Sequence, residues 1–375
     1  MPDPIQLFRP VVCEEAISAV SEVMRSGWIG LGPVTDRFEQ AFATYVGARH
    51  AVALNSATSA LHLALLAVGV GSGDEVISTS LTFVSTNHAI RYCGADPVFA
   101  DVDPRTMNLD LAEVERLIGP RTKAVVAVHY GGNPLDLDAL YALAKRRNIA
   151  VIEDAAHACG ATYRGRRIGA QGLTCFSFHA VKNLAIGDGG MITCDNDAIA
   201  DRLRRLRWMG IDRSTFARNG GRSYQWEYAV DEVGFKYHMN DIAAAIGLAQ
   251  LPTLDAGNAR RAAICAAYRT GLADLPRERL AFIDQTAGAT SANHICAVLV
   301  ANRDQVADRL RAAGIGTGVH YKPNHLYPPY QQARRGSLVQ TEAAFARLLS
   351  LPLHLMLTDA DVARVIAAVR LAVTA

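Results

Sequence analysis

Between residues 34 and 194, short runs that are largely apolar on both faces alternate with stretches whose apolar residues recur at helical spacing. The runs are Ala51–Leu54, Glu75–Ser78, Pro97–Ala100, Ala124–Val128 and Ala150–Glu153. A strand that is apolar on both faces must be covered on both, and a parallel sheet with crossover helices does this. The helical period falls on Phe38–Phe42, Ser59–Val68, Val84–Arg91, Leu111–Ile118 and Leu135–Arg147. The pattern predicts an α/β fold built on a large, mainly parallel sheet.

After this block come two short β runs, Cys175–His179 and Gly190–Thr193, and then a polar, Gly- and aromatic-rich excursion over Arg213–Glu232. Long segments without period are usually functional or flexible. A helical run, Asn240–Thr270, is interrupted at Pro252. The remainder reads as strand Cys296–Val300, helix Arg303–Ala313, strand Thr317–Tyr321, helix Val339–Leu348 and helix Asp359–Val369. A chain of 375 residues suits two or three domains. The expected division is a large domain over 1–250, including an N-terminal arm, and a small α+β domain over 251–375.

Charge excludes more than it identifies. Lys plus Arg is 38 and Asp plus Glu is 36, without the basic excess of a nucleic-acid footprint. The seven cysteines are scattered and form no C-x-x-C pair, so no zinc site, metal or disulfide framework is expected. No apolar run reaches the roughly 18 residues that span a bilayer. Met1-Pro2-Asp3-Pro4 lacks the features of a signal peptide. The expectation is a reduced cytoplasmic protein.

Three elements could carry chemistry. Lys182 follows an apolar run and precedes Gly187-Asp188-Gly189-Gly190. A desolvated lysine has a depressed pKa and can form a Schiff base with a carbonyl cofactor, although most lysines at strand ends simply reach solvent. Asp154 ends a strand, where ligands of open α/β sheets bind. It could pair with a pyridinium nitrogen or merely cap the next turn. Asn55-Ser56-Ala57-Thr58-Ser59 lies between strand and helix, so its free N–H groups suit a phosphate, or plain capping. Gly69–Gly73 precedes a strand and so fails the dinucleotide fingerprint, and there is no Walker A loop.

In this order the three elements resemble the DegT/DnrJ/EryC1/StrS sugar aminotransferases, pyridoxal-phosphate enzymes of fold type I. The likeness also runs through Ser26-Gly27-Trp28-Ile29, Gly32-Pro33, Gly73–Ile77, Thr122-Lys123-Ala124, Glu153–Ala158, Phe176–His179, Lys182-Asn183 and Gly189-Gly190. The resemblance implies that Lys182 is the Schiff-base lysine and proton shuttle. Asp154 pairs with the pyridine nitrogen, His157 lies near the ring's phenolic oxygen, and Phe83 stacks on the ring. Ala57, Thr58 and Ser177 hold the phosphate. Gly234–Met239 crosses to a second subunit of a homodimer, with Lys236 standing where many relatives carry an asparagine that contacts phosphate.

His179, after Ser177-Phe178, resembles enzymes that aminate C4 of a 4-keto sugar nucleotide; relatives acting at C3 more often have tyrosine there. His320, Tyr321 and His325 are implied substrate contacts or rim residues. Phe176–Asn183 and Gly316–Tyr321 are similar to the enzyme making 4-amino-4-deoxy-arabinose nucleotides, whereas Lys322–Tyr327 departs from it. The implied reaction moves nitrogen from an amino acid, L-glutamate, to a nucleotide-linked keto sugar. A C3-specific aminotransferase and a non-catalytic cofactor-binding regulator are the alternatives; the family's 3-dehydratase branch, in which histidine replaces the lysine, is disfavoured by Lys182.

Overall fold

The structure is a computed structural model that describes residues 3–212 and 227–374. Residues 213–226 of the polar excursion lie outside the described residues.

The chain begins with α1 (Glu14–Ser26) and α2 (Pro33–Val46). Gly27 ends α1 in a left-handed conformation at φ 76°, which glycine adopts without a Cβ penalty. The start of α2 is capped from far away. Asp241 accepts from the Gly32 and Thr35 amides at 3.0 and 2.9 Å and from the Val34 amide at 3.1 Å. A buried carboxylate on a helix N-terminus offsets both its own desolvation and the unpaired N–H groups.

A seven-stranded sheet follows, built from β1 (His50–Leu54), β2 (Glu75–Thr79), β3 (Asp96–Ala100), β4 (Thr122–Val128), β5 (Ala150–Asp154), β6 (Thr174–Ser177) and β7 (Gly190–Cys194). Their order is β1-β7-β6-β5-β4-β2-β3. Only β7 runs against the rest, pairing antiparallel with β6 and β1. The connecting helices are α3 (Ala57–Ala67), α4 (Val84–Tyr92), α5 (Leu111–Leu117) and α6 (Leu137–Arg147), with α7 (Asp197–Leu206) after β7. Two apolar clusters cover the two faces. One holds Phe38, Val98, Val125, Phe176 and Phe178; the other holds Val52, Leu63, Val76, Val126 and Ile192. Side chains of one strand, such as Val125 and Val126, divide between the clusters, as alternation across a covered sheet requires.

The expected break near Pro252 separates α8 (Asp241–Gln250) from α9 (Leu254–Gly271). Beyond it, β8 (Leu280–Phe282), β9 (Cys296–Val300) and β10 (Leu348–Leu351) form an antiparallel sheet in the order β8-β9-β10. This sheet packs with α10 (Arg303–Ala312), α11 (Val339–Arg347) and α12 (Asp359–Thr374). Ile5 of the N-terminal arm joins this third cluster with Ile264, Tyr268, Val298 and Val365.

The strand expected at Thr317–Tyr321 does not form; a single bridge joins Gly318 to Ser350. Just before it, the arm pairs with the chain: Ile5 bridges Ile315, and the Gly316 amide donates to the Ile5 carbonyl at 2.7 Å. The segment then leads His320 and Tyr321 toward the large sheet. Among the described residues, no helix is long and apolar enough to cross a membrane, and no group of three His, Cys, Asp or Glu could hold a metal.

Candidate active site

The segments after β1, β2, β4, β5 and β6, together with the turn entering β7, all lie at one end of the sheet. In an open α/β sheet the carboxyl ends of the parallel strands form the ligand crevice. Here they enclose a cavity of about 300 Å³. It is lined by Ala57, Thr58, Phe83, Asp154, His157, Ser177, His179 and Lys182, with His320 and Tyr321 closing it from the segment after the Gly318–Ser350 bridge. Ten residues singled out in the sequence thus converge although they span more than two hundred positions.

Lys182 is partly buried, and burial brings its pKa down to about 8, with Asp154 pulling weakly the other way. At neutral pH its amine has a much larger neutral fraction than a surface lysine. Asp154 is buried and its pKa is raised by loss of solvent. Two donors hold the carboxylate: the Thr86 hydroxyl at 2.8 Å and the Ala156 amide at 3.1 Å. It keeps acceptor capacity for a further cationic N–H.

The start of α3 supplies the anion cradle. Ser56 caps it by accepting from the Ser59 amide at 3.1 Å, while Ala57 and Thr58 line the cavity in the first turn, where N–H groups lack helical partners. A Cβ at Gly190 would stand 2.4 Å from the Ser56 carbonyl oxygen and 2.7 Å from the Ala57 nitrogen, so glycine lets β7 pass against this turn. Ser177, at the end of β6, adds a hydroxyl.

His157 is buried; its Nε2 lies 2.9 Å from the Tyr321 hydroxyl, and its Nδ1 has no partner. An unpaired buried ring nitrogen beside Asp154 and Lys182 is a costly feature for a dry core and suits a polar ligand. Burial lowers the His157 pKa well below its usual value, and brings that of His320 to about 4, so both rings are neutral at physiological pH. The anion cradle, the buried acid and the depressed amine together fit a phosphorylated pyridine aldehyde. Phe83 is 56% exposed at the cavity and its ring centroid is 5.9 Å from that of Tyr321.

Two expected residues lie elsewhere. His325 does not line the cavity; its ring is fixed between Ser80 Oγ at 3.1 Å and Glu342 Oε1 at 3.2 Å. Lys236 does not line it either: its ammonium sits 3.7 Å over the Trp208 ring. The backbone around it is tied to the same chain, the Asn55 amide donating to the Tyr237 carbonyl at 2.7 Å.

The sequence reading missed His294, Thr86 and Phe8, which also line the cavity. Thr86 sits in the first turn of α4 and its hydroxyl is 2.9 Å from that of Thr82, which lies two residues before the helix; only the Thr82/Thr86 hydroxyl spacing of four residues was visible in the sequence. His294 and Phe8 arrive from distant loops and have no local signature.

Comparison with known proteins agrees with this geometry. Residues 10–370 match the DegT/DnrJ/EryC1/StrS aminotransferase family. The aminotransferase TlmJ from Streptoalloteichus hindustanus is 38% identical, with a TM-score of 0.91 and coverage of 99% of each chain. The sugar aminotransferase CalS13 from Micromonospora echinospora is 33% identical, covering 98% of this chain and 99% of its own, at a TM-score of 0.90. Spr1654 from Streptococcus pneumoniae, named as a sugar aminotransferase and solved in its PLP form, is 30% identical over 99% of each chain, at a TM-score of 0.91. With the same fold over its whole length and a family match spanning nearly all of its sequence, this chain belongs to the DegT/DnrJ/EryC1/StrS aminotransferase family.

Proposed function

We propose that this protein is a sugar aminotransferase that uses pyridoxal phosphate to move an amino group from L-glutamate to the C4 carbonyl of a nucleotide-linked 4-keto sugar. The observation that carries this reading is the depressed amine of Lys182 in one cavity with the buried Asp154 and the open first turn of α3. Bound there, pyridoxal phosphate supplies an aldehyde for the lysine and a ring that takes up the electron pair of the substrate's α-carbon. Ala57, Thr58 and Ser177 hold its phosphate. Asp154 keeps the pyridine nitrogen protonated, and Thr86 and Ala156 keep Asp154 aimed. Lys182, as a free amine in this cavity, would take up and return the proton at the substrate's α-carbon. A pKa near 8 lets it both accept and return that proton at neutral pH.

His179 supports the C4 assignment: it lies on the cavity lining beside Ser177 and carries the resemblance to enzymes acting at that position. His320 and Tyr321, which close the cavity, are the substrate contacts from the C-terminal part of the chain. The working unit is a homodimer in which Lys236 reaches the partner's phosphate. Its place outside its own cavity supports this, as do the exposed apolar side chains Ile17, Met24, Ile29, Val230 and Val233.

The test is a panel of UDP-, dTDP- and GDP-linked 4-keto and 3-keto sugars with L-glutamate, read by product stereochemistry and by bleaching of the cofactor's colour. Amination of a 4-keto sugar nucleotide is expected. Amination confined to 3-keto sugars overturns the regiochemistry, and colour that persists with every amino donor overturns catalysis.

A further inference from the structure

We infer that His294 is a positioning residue that holds the free amine of Lys182, acting as a fixed hydrogen-bond acceptor; the inference rests on the reading of Lys182 as the reactive amine. The argument starts at Asn183. Both amide hydrogens of its side chain are used, one toward Asn258 Oδ1 and one toward the Ala292 carbonyl, each at 2.7 Å. The orientation of this amide is therefore set, and its oxygen is what faces His294 Nδ1 at 3.0 Å. An oxygen there can only accept, so the ring's proton belongs on Nδ1. Nε2 is then a lone pair, and it lies 3.4 Å from Lys182 Nζ. The lysine must donate across this contact.

The ring has little freedom to do otherwise. His294 is buried, stacks on Phe8 with centroids 5.7 Å apart and planes 5° from parallel, and packs 4.6 Å from His157. Burial and the nearby lysine push its pKa well below the usual value, so it stays a neutral acceptor. The other titratable groups around the amine's cavity are Asp154, His157, His179, Asp188, His320 and Tyr321, and Arg261 also acts on His294. Asp154 draws the ammonium by charge, but His294 alone is within hydrogen-bond distance of Nζ among the contacts of the described residues. A neutral acceptor fixes where the amine waits without forming a tight ion pair that would hinder its return to the reacting carbon.

The test uses the cofactor-free full chain, so its outcome does not depend on which sugar is aminated. The pH dependence of trace acetylation at Lys182, read by mass spectrometry, gives the pKa of the amine. In the unmodified protein the midpoint is expected near 8. His294→Phe removes the acceptor and should lower the midpoint by about one unit, because the charged form loses its hydrogen bond. His294→Gln places a terminal amide oxygen where Nε2 stood and should restore most of the shift. An unchanged midpoint in His294→Phe, or equal shifts in both variants, overturns the inference. Histidine ¹⁵N shifts of the unmodified protein, with His294 assigned through the Gln variant, decide the matter if the Phe variant does not fold: protonation at Nδ1 is expected, and protonation at Nε2 overturns it.

Discussion

Thr86 Oγ1 donates to Asp154 Oδ2 at 2.8 Å, joining the first turns of α4 to the carboxyl end of β5. Asp154 is buried, which raises its pKa, and the Thr86 hydroxyl is the largest influence in the opposite direction. The Thr86 hydroxyl thus favours the ionised form of the acid against the burial that disfavours it.

Thr86→Val should raise the Asp154 pKa further, so the acid limb of the activity profile moves to higher pH. Loss of one hydrogen bond to a charged group should slow turnover roughly ten-fold near neutrality. Asp154→Asn should be slower still while retaining bound cofactor, since the cradle at α3 is untouched. Cofactor content and the rate of bleaching by glutamate, followed against pH, check both; an unmoved acid limb in Thr86→Val would show that the hydroxyl does not tune the acid.

Lys182→Ala should reduce turnover by about 10⁴-fold or more, because it removes both the covalent attachment and the proton carrier. The same amine leaves a signature in stability without cofactor. Its pKa is depressed from 10.5 unfolded to about 8 folded. Between these values the unfolded chain binds the extra proton, so this group's contribution to stability rises with pH across the window and is absent as a gain below it. Relative to Lys182→Met, the cofactor-free protein should therefore gain stability from pH 8 to 10. Denaturant midpoints of the two chains across that range measure the difference, and parallel curves would contradict the depressed pKa.

Gly190→Ala should damage the cradle and the sheet together. The added methyl would meet the Ser56 carbonyl oxygen at 2.4 Å and the Ala57 nitrogen at 2.7 Å, both backbone atoms that cannot swing aside. The start of α3 and β7 must separate, at a cost of about 1–3 kcal/mol. Thermal unfolding should show the loss of stability, and equilibrium titration should show weaker binding of pyridoxal phosphate.

How much of this was legible depended on whether the cause was local. The strands of the large sheet were readable because burial on both faces writes itself into consecutive residues, as in Ala124–Val128. Lys182, Asp154 and the Asn55–Ser59 turn were readable as types of residue at strand ends, and the family resemblance tied them together. His294 was not, because its meaning lies in Lys182 and Asn183, more than a hundred residues earlier. The strand expected at Thr317–Tyr321 reduces to one bridge between Gly318 and Ser350, and the residues just before it pair with the arm at Ile5, a partner that no local pattern announces. His325 looked like a site residue by type, but Ser80 and Glu342 claim its ring.

The position of Lys236 leads to the assembly. Its ammonium lies over Trp208 and outside the cavity of its own chain, although its backbone is anchored beside Asn55. If two copies pair through this segment, the cation is presented to the neighbour's phosphate, where a charged hydrogen bond outweighs a neutral one. Lys236→Ala should then weaken cofactor binding, and Lys182→Ala should be inactive for its own reason. Mixed under conditions where subunits exchange, the two inactive chains form heterodimers in which one site has Lys182 from one chain and Lys236 from the other. Each heterodimer should regain up to about half of the wild-type dimer's activity, since one of its two sites is intact and the other lacks both groups. This reading requires that Lys236→Ala alone be severely impaired and that exchange be seen by native mass spectrometry. If exchange occurs and no activity returns, each chain completes its own site and the segment folds back on its own subunit.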